Sequence, residues 1–220
     1  MTSPDLSRWS GCPTPEPVVL RGRYARLEPL APHHAPALFD TVRGHPELFA
    51  HLHEHPPADE AQVLTWIDAV RARGDLLMWS VIDEATGLAG GRQALMRIDA
   101  GSGVVEIGSI LWGPRVARTR VATEAFSLHA GYVFDQLGYR RLEWKCDSTN
   151  RASQRAAQRL GFTAEGAFAQ HMVVKGRNRD TTWFSMVDHQ WPAHRTRLQS
   201  WLDPANFDAD GHQLTPLAGR

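Results

Sequence analysis

Apolar positions along the chain change period repeatedly. The stretch "VVLRGRYARLEPL" from Val18 reads as a strand, and "HHAPALFDTVRG" and "ADEAQVLTWIDAVRARG" carry helical spacing, with Asp59 a cap and Gly74 a stop. "LLMWSVID" and "LAGGRQALMRI" flank a Thr-Gly turn, and "GVVEIGSILW" follows a second Gly-rich turn, which predicts an antiparallel meander. From Val121, the residues Ala125, Leu128 and Tyr132 fall on one helical face that Gly138 closes. "YRRLEWKC" then alternates Leu142, Trp144 and Cys146 inward against Arg141, Glu143 and Lys145 outward. Asn150 caps a helix with an Ala152, Ala156, Leu160 stripe, Gly161 ends it, Phe162 opens a strand, and "TTWFSMVDHQW" reads as the last one.

Strand 104–112, helix 121–137 and strand 140–147 make a βαβ unit, so these two strands should run parallel with a right-handed crossover. A parallel pair beside an antiparallel meander gives a mixed α+β sheet. Residues 1–17, polar and Pro-rich, suit a flexible arm; 18–191 form the domain; 192–220 form a C-terminal helix or tail with Trp201 as its anchor.

Composition narrows the partners. Lys plus Arg and Asp plus Glu each number 24, so no bulk charge points to nucleic acid or an anionic membrane. Cys12 and Cys146 lack the spacing of a metal or redox pair, and there is no apolar run of spanning length or leader-like segment. A reduced, cytoplasmic protein is expected.

The stretch "WGPRVARTRVATEAF" combines a strand end, a turn and a helix start, where backbone N–H groups favour an anion, yet no glycine follows Arg115. With "LEPLAPHHAPALFD", "EIGSILWGP", "VATEAF" and "NRASQRAAQRLGFTAEG", the order of elements resembles the GNAT superfamily of N-acetyltransferases and, within it, the RimJ/RimL-like branch that acetylates protein N-termini. The resemblance implies a central twisted sheet of about seven strands with a splayed parallel pair, flanked by about four helices. It also implies acetyl-coenzyme A as co-substrate, an amine acceptor that is a peptide N-terminus or a small molecule, no metal, and a possible homodimer.

For the cofactor, the resemblance points to Leu111 and Trp112 at the strand end, to Arg115, to the loop positions Ala117, Arg118, Thr119, Arg120, Val121 and Ala122, and to Asn150 and Ser153. The family loop Q/R-x-x-G-x-G/A matches here only at Ala122. Two readings follow: Arg115, Arg118 and Arg120 grip the pyrophosphate by side chain, or Arg120 fills its place. Glu106, central in its strand, is the candidate general base acting through water, and Ser153 the group that assists thiolate departure, since Ala157 stands where many relatives have a tyrosine. Phe49, His51 and Trp66 are candidate walls of the acceptor pocket, with helix packing the alternative for Phe49 and Trp66. His51, His53 and His55 alternate in "HLHEHPP", a weak zinc pattern without supporting ligands.

Overall fold

The computed structural model describes residues 5–217; the ends of the arm and tail fall outside it. One eight-stranded sheet runs in the order β1-β2-β3-β4-β5-β6-β8-β7. In chain order these are β1 (Leu20–Arg21), β2 (Ala25–Pro29), α1 (Ala35–Val42), α2 (Glu60–Arg71), β3 (Leu76–Asp83), β4 (Leu88–Asp99), β5 (Val104–Trp112), α3 (Arg120–Gly131), β6 (Arg141–Asp147), α4 (Arg151–Leu160), β7 (Thr163–Val174), β8 (Arg177–Val187) and α5 (Trp191–Trp201).

Both faces of the sheet are covered, which explains why β3 is buried on alternate sides. Leu76, Met78 and Ile82 pack with Val63, Ile67 and Val70 of α2, whereas Trp79 and Val81 point into the larger core with Phe126 of α3 and Leu198 of α5. Local signals act where expected. Asp59 and Asn150 accept from Gln62 N and Ser153 N, at 2.9 and 3.0 Å, and Gly138 and Gly161 take left-handed conformations after their helices.

Several details differ from the sequence expectation. The 121–137 helix is α-helical over Arg120–Gly131 and ends in a π-helical turn, Tyr132–Gln136. The final strand starts earlier, at Arg177, and stops at Val187; Trp191 instead opens α5, whose Trp191, Leu198 and Trp201 are all buried. The described part of the N-terminal arm does not hang free: Trp9 Nε1 donates to Gly101 O at 2.6 Å, Cys12 N to Ala100 O at 2.8 Å, and Glu16 N to the Tyr132 hydroxyl at 2.8 Å.

The feature that matters most lies at the centre. β5 and β6 pair in parallel for three rungs only, Val104 with Arg141, Val105 with Leu142 and Glu106 with Glu143. Beyond Glu106 the strands part. β5 keeps its ladder with β4 through a bulge at which Ser109 adopts φ 50, and β6 stays on β8 as far as Asp147. Residues past the last shared rung therefore turn backbone polar groups toward a wedge.

Candidate active site

A cleft of about 910 Å³ opens at this wedge, walled by β5 from Glu106 to Ile110, β6 from Trp144 to Asp147, the start of α4, and the segment 47–54. Glu106 stands at its inner end, on the last rung. Its side chain is 5% exposed, and Oε2 accepts from Arg97 Nη1 at 2.6 Å and faces Lys145 Nζ at 3.1 Å. Oε1 accepts no hydrogen bond among the described residues. Lys145 is itself buried, bridging Glu106 to Glu143 at 2.8 Å and lying 3.7 Å over the Trp183 ring. The outward position expected for Lys145 is thus corrected, because Glu106 of β5 and Trp183 of β8, on the two neighbouring strands, enclose its ammonium group. Burial pushes the Glu143 carboxyl up, but hydrogen bonds from Lys145 and Arg141 outweigh it and hold the group below its ordinary range.

Across the wedge, Ser153 sits on the first turn of α4. Its Oγ accepts from Trp144 Nε1 at 2.9 Å, which fixes the oxygen and leaves the hydroxyl hydrogen to be donated elsewhere. Asn150 uses its oxygen as the helix cap, so its amide NH₂ remains available at the cleft wall. Cys146 lies beside Ser153; burial pushes its thiol up, and the Ser153 contact only partly opposes this, so the thiol is a poor nucleophile. Ala157 is fully buried beneath, and none of the three tyrosines, all described, lines the cleft.

The turn before α3 is built without glycine. Val116 is buried over Gly90, where a Cβ would meet its side chain at 2.4 Å, and Val116 N and Ala117 N both donate to Gly113 O. Thr119 caps α3 through Oγ1, which accepts from Val121 N at 3.1 Å. The left-handed residue is Arg118, with φ 65, and Arg120 has become the first residue of the helix. Among the described residues, the N–H groups of Arg118, Arg120 and Ala122 have no acceptor. That orphan set at a helix N-terminus is what a phosphate group satisfies, and the residues present fit it.

The three arginines behave differently. Arg120 stacks over Tyr24 at 4.4 Å and Phe207 at 5.2 Å, and Arg115 reaches Asp40 at 3.1 Å and the Thr41 hydroxyl at 3.3 Å. Only Arg118 is exposed without a side-chain partner among the described residues. Arg120 is thus directed to Tyr24 and Phe207.

Of the proposed acceptor walls, His51 and Trp66 line the cleft. Phe49 does not: it packs against Val42 and Leu111 and borders a separate cavity of about 120 Å³, so its packing alternative holds. Leu111 lines that cavity as well, and Trp112 donates from Nε1 to Gln93 Oε1 at 3.0 Å. The three alternating histidines diverge, His51 Nδ1 lying 3.7 Å from Asp147 Oδ2, His53 facing the cleft and His55 the smaller cavity. Two buried or half-buried arginines were not expected here. Arg92 is 4% exposed, donates to Glu54 at 3.1 Å and Ser109 at 3.2 Å and stacks over Trp66 at 4.2 Å, pinning the 51–57 segment against the bulge. Arg179 of β8 reaches the cleft with no hydrogen bond or ion pair among the described residues. In sequence both look like solvent-facing strand positions, and the only local hint is the Gly-Gly pair before Arg92.

Residues 25–163 match the family described as Acetyltransferase (GNAT) domain. The chain belongs to the GNAT acetyltransferases. Members of this family use acetyl-coenzyme A as the acetyl donor. A GCN5-related N-acetyltransferase from Brucella melitensis superposes with a TM-score of 0.94 at 51% identity, over 96% of this chain and 97% of that one. The uncharacterized N-acetyltransferase p20 of Bacillus licheniformis is 27% identical over 153 residues, 66% of this chain and 83% of its own. A structure titled as a ribosomal-protein-serine acetyltransferase from Vibrio cholerae reaches a TM-score of 0.67 at 19% identity, over 77% of this chain and 99% of its own, a likeness of fold alone. Among the described residues of this GNAT chain no helix is long and apolar enough to cross a membrane.

Proposed function

We propose that this GNAT domain moves an acetyl group from acetyl-coenzyme A to a primary amine by direct attack in the β5–β6 cleft. The observation that carries it is the ladder break itself, which puts Glu106 on the last rung and the Ser153 hydroxyl on the opposite wall.

Glu106 Oε1, free of protein partners, takes the proton of the incoming amine through one water, while Arg97 and Lys145 hold the rest of the carboxylate still. A peptide α-amino group, with an ordinary pKa near ~7.7–8.0, needs little help to reach its neutral form, which favours a peptide N-terminus over a lysine side chain. Ser153 donates its hydroxyl hydrogen to the departing sulfur; the oxygen is already positioned by Trp144. At the entrance, the orphan N–H groups of Arg118, Arg120 and Ala122 and the Arg118 guanidinium would hold the pyrophosphate, and Asn150 NH₂ the amide-bearing arm. The RimJ/RimL-like assignment, a cytoplasmic setting and a homodimer belong to the same reading.

A second reading, a GNAT-like module that binds acyl-coenzyme A or a peptide without turnover, draws on the clamp that Arg97 and Lys145 put on Glu106. Free-thiol release from acetyl-coenzyme A across a panel of peptides and small amines separates the two. Steady, amine-dependent release supports transfer, and its absence with retained coenzyme binding supports the silent module.

A further inference from the structure

Arg179 is a charged group of the cleft for which the proposed chemistry has no use. It lies on the same face of β8 as Thr181, which also lines the cleft, and as Trp183. It is half-buried, and among the described residues its guanidinium has no hydrogen-bond or ion-pair partner. A guanidinium left unpaired at a cleft wall is placed to receive an anion through its Nη groups.

Its surroundings repeat the same sign. Arg97 reaches the cleft from a left-handed position in β4, φ 48, a strained conformation for a non-glycine residue, and spends Nη1 on Glu106 while its side chain stays 47% exposed. Lys175, in the β7–β8 turn, crosses to donate to Phe49 O at 2.8 Å. His53 lies among all three: burial first, then Arg179, Arg97 and Lys175 push its imidazole below the ordinary range, and Glu54 opposes them only in part. Glu54 is already paired with Arg92. Asp147, another carboxylate of the cleft, lies within coulombic range of Arg179 but forms no ion pair with it; its oxygens are occupied by Thr149 and by His51 at 3.7 Å.

The geometry points to an acceptor that carries a carboxylate as well as its amine, the amine lying at Glu106 and the carboxylate received by Arg179 with Arg97 beside it. This deepens the proposed transfer and rests on it. A free amino acid and a peptide with an acidic residue next to its N-terminus share this chemistry, and Arg179 receives the anion in either case.

The test measures free-thiol release from acetyl-coenzyme A, with rates expressed per neutral amine because a free amino acid's amine is more basic than its amide's: alanine against alaninamide, and the dipeptide amide of serine and glutamate against that of serine and glutamine. At least one acid should exceed its amide about tenfold in kcat/KM, mostly through KM, and which pair shows it distinguishes the two sources. Arg179→Gln should bring that ratio close to one and Arg179→Lys should keep part of it, in proteins with unchanged melting temperature. Equal rates for acid and amide in both pairs overturn the proposal and leave acetyl transfer standing. In parallel, the same acids and amides are titrated into protein saturated with coenzyme A, following tryptophan fluorescence. If no amine releases thiol, binding of the acid that Arg179→Gln abolishes upholds the anion site while sinking the transfer reading, and binding that ignores both the carboxylate and Arg179 overturns it.

Discussion

His129 of α3 gives the fold a defined weakness to acid. The ring is fully buried, edge-on to Trp79 at 4.6 Å, with Nδ1 2.8 Å from Gln93 Nε2 and no partner for its own Nε2 among the described residues. Burial pushes its pKa from 6.5 down to about 3, so the native protein holds the imidazole neutral while the unfolded chain takes up a proton below 6.5. The stability associated with that neutral ring is fully present above pH 6.5 and is lost as pH falls toward 3, at about 1.4 kcal/mol per pH unit. At pH 5 the loss from this residue is about 2 kcal/mol, which for a domain of this size lowers the melting temperature by roughly 4–8 °C. His34, His53 and His194 are shifted down as well, so the wild type alone does not isolate the effect. The assay is therefore a comparison: thermal melts at pH 7.5 and pH 5 for the wild type and for His129→Leu. The variant starts less stable, since Gln93 loses a partner, but its drop on acidification is smaller by that 4–8 °C. Parallel drops in the two proteins would refute the reasoning.

Three further substitutions probe the loop, the scaffold and the leaving-group wall. Arg118→Gly relieves a left-handed residue and should stabilise the protein by about 1 kcal/mol, yet weaken acetyl-coenzyme A binding several-fold by removing the free guanidinium; melts and calorimetry read the two effects separately. Glu124 of α3 accepts from the N–H groups of Arg23, Tyr24 and Ala25 at 3.0, 2.5 and 2.6 Å, so Glu124→Ala should cost about 2–4 kcal/mol in urea unfolding by stranding three donors. Ser153→Ala should lower kcat about tenfold with KM for the amine little changed, as measured by thiol release, because the hydroxyl acts on the departing sulfur.

What the chain revealed in advance was what local pattern can encode. The apolar face running from Val121 to Tyr132, the Asn150 and Asp59 caps and the alternation of Leu142, Trp144 and Cys146 are short-range signals, and the βαβ unit they define carries the cleft. Alternation also says which residues share a face, but not what covers that face. Lys145 reads as outward because period 2 puts it opposite Trp144; that its side is sealed by Trp183 and Glu106 depends on strand order, to which Lys145's neighbours in sequence are blind. The same limit applies to the turn before α3. Its place between β5 and α3 was legible, whereas the partners of Arg115 and Arg120 come from α1 and from Phe207, more than 70 residues away in each case. For Phe49 the sequence left wall and packing both open for the same reason, its packing being decided by Val42 and Leu111 together.

The central claim is that the wedge beyond the last β5–β6 rung is a transfer site in which Glu106 handles the amine proton. It is tested most directly by Glu106→Gln, which keeps the shape and one acceptor oxygen for Arg97 and Lys145. With the best acceptor of the panel, thiol release at saturating acetyl-coenzyme A should fall by about 10²–10⁴, while calorimetry shows coenzyme affinity within about twofold of the wild type. Turnover that survives the substitution in a folded, coenzyme-binding protein would contradict the account.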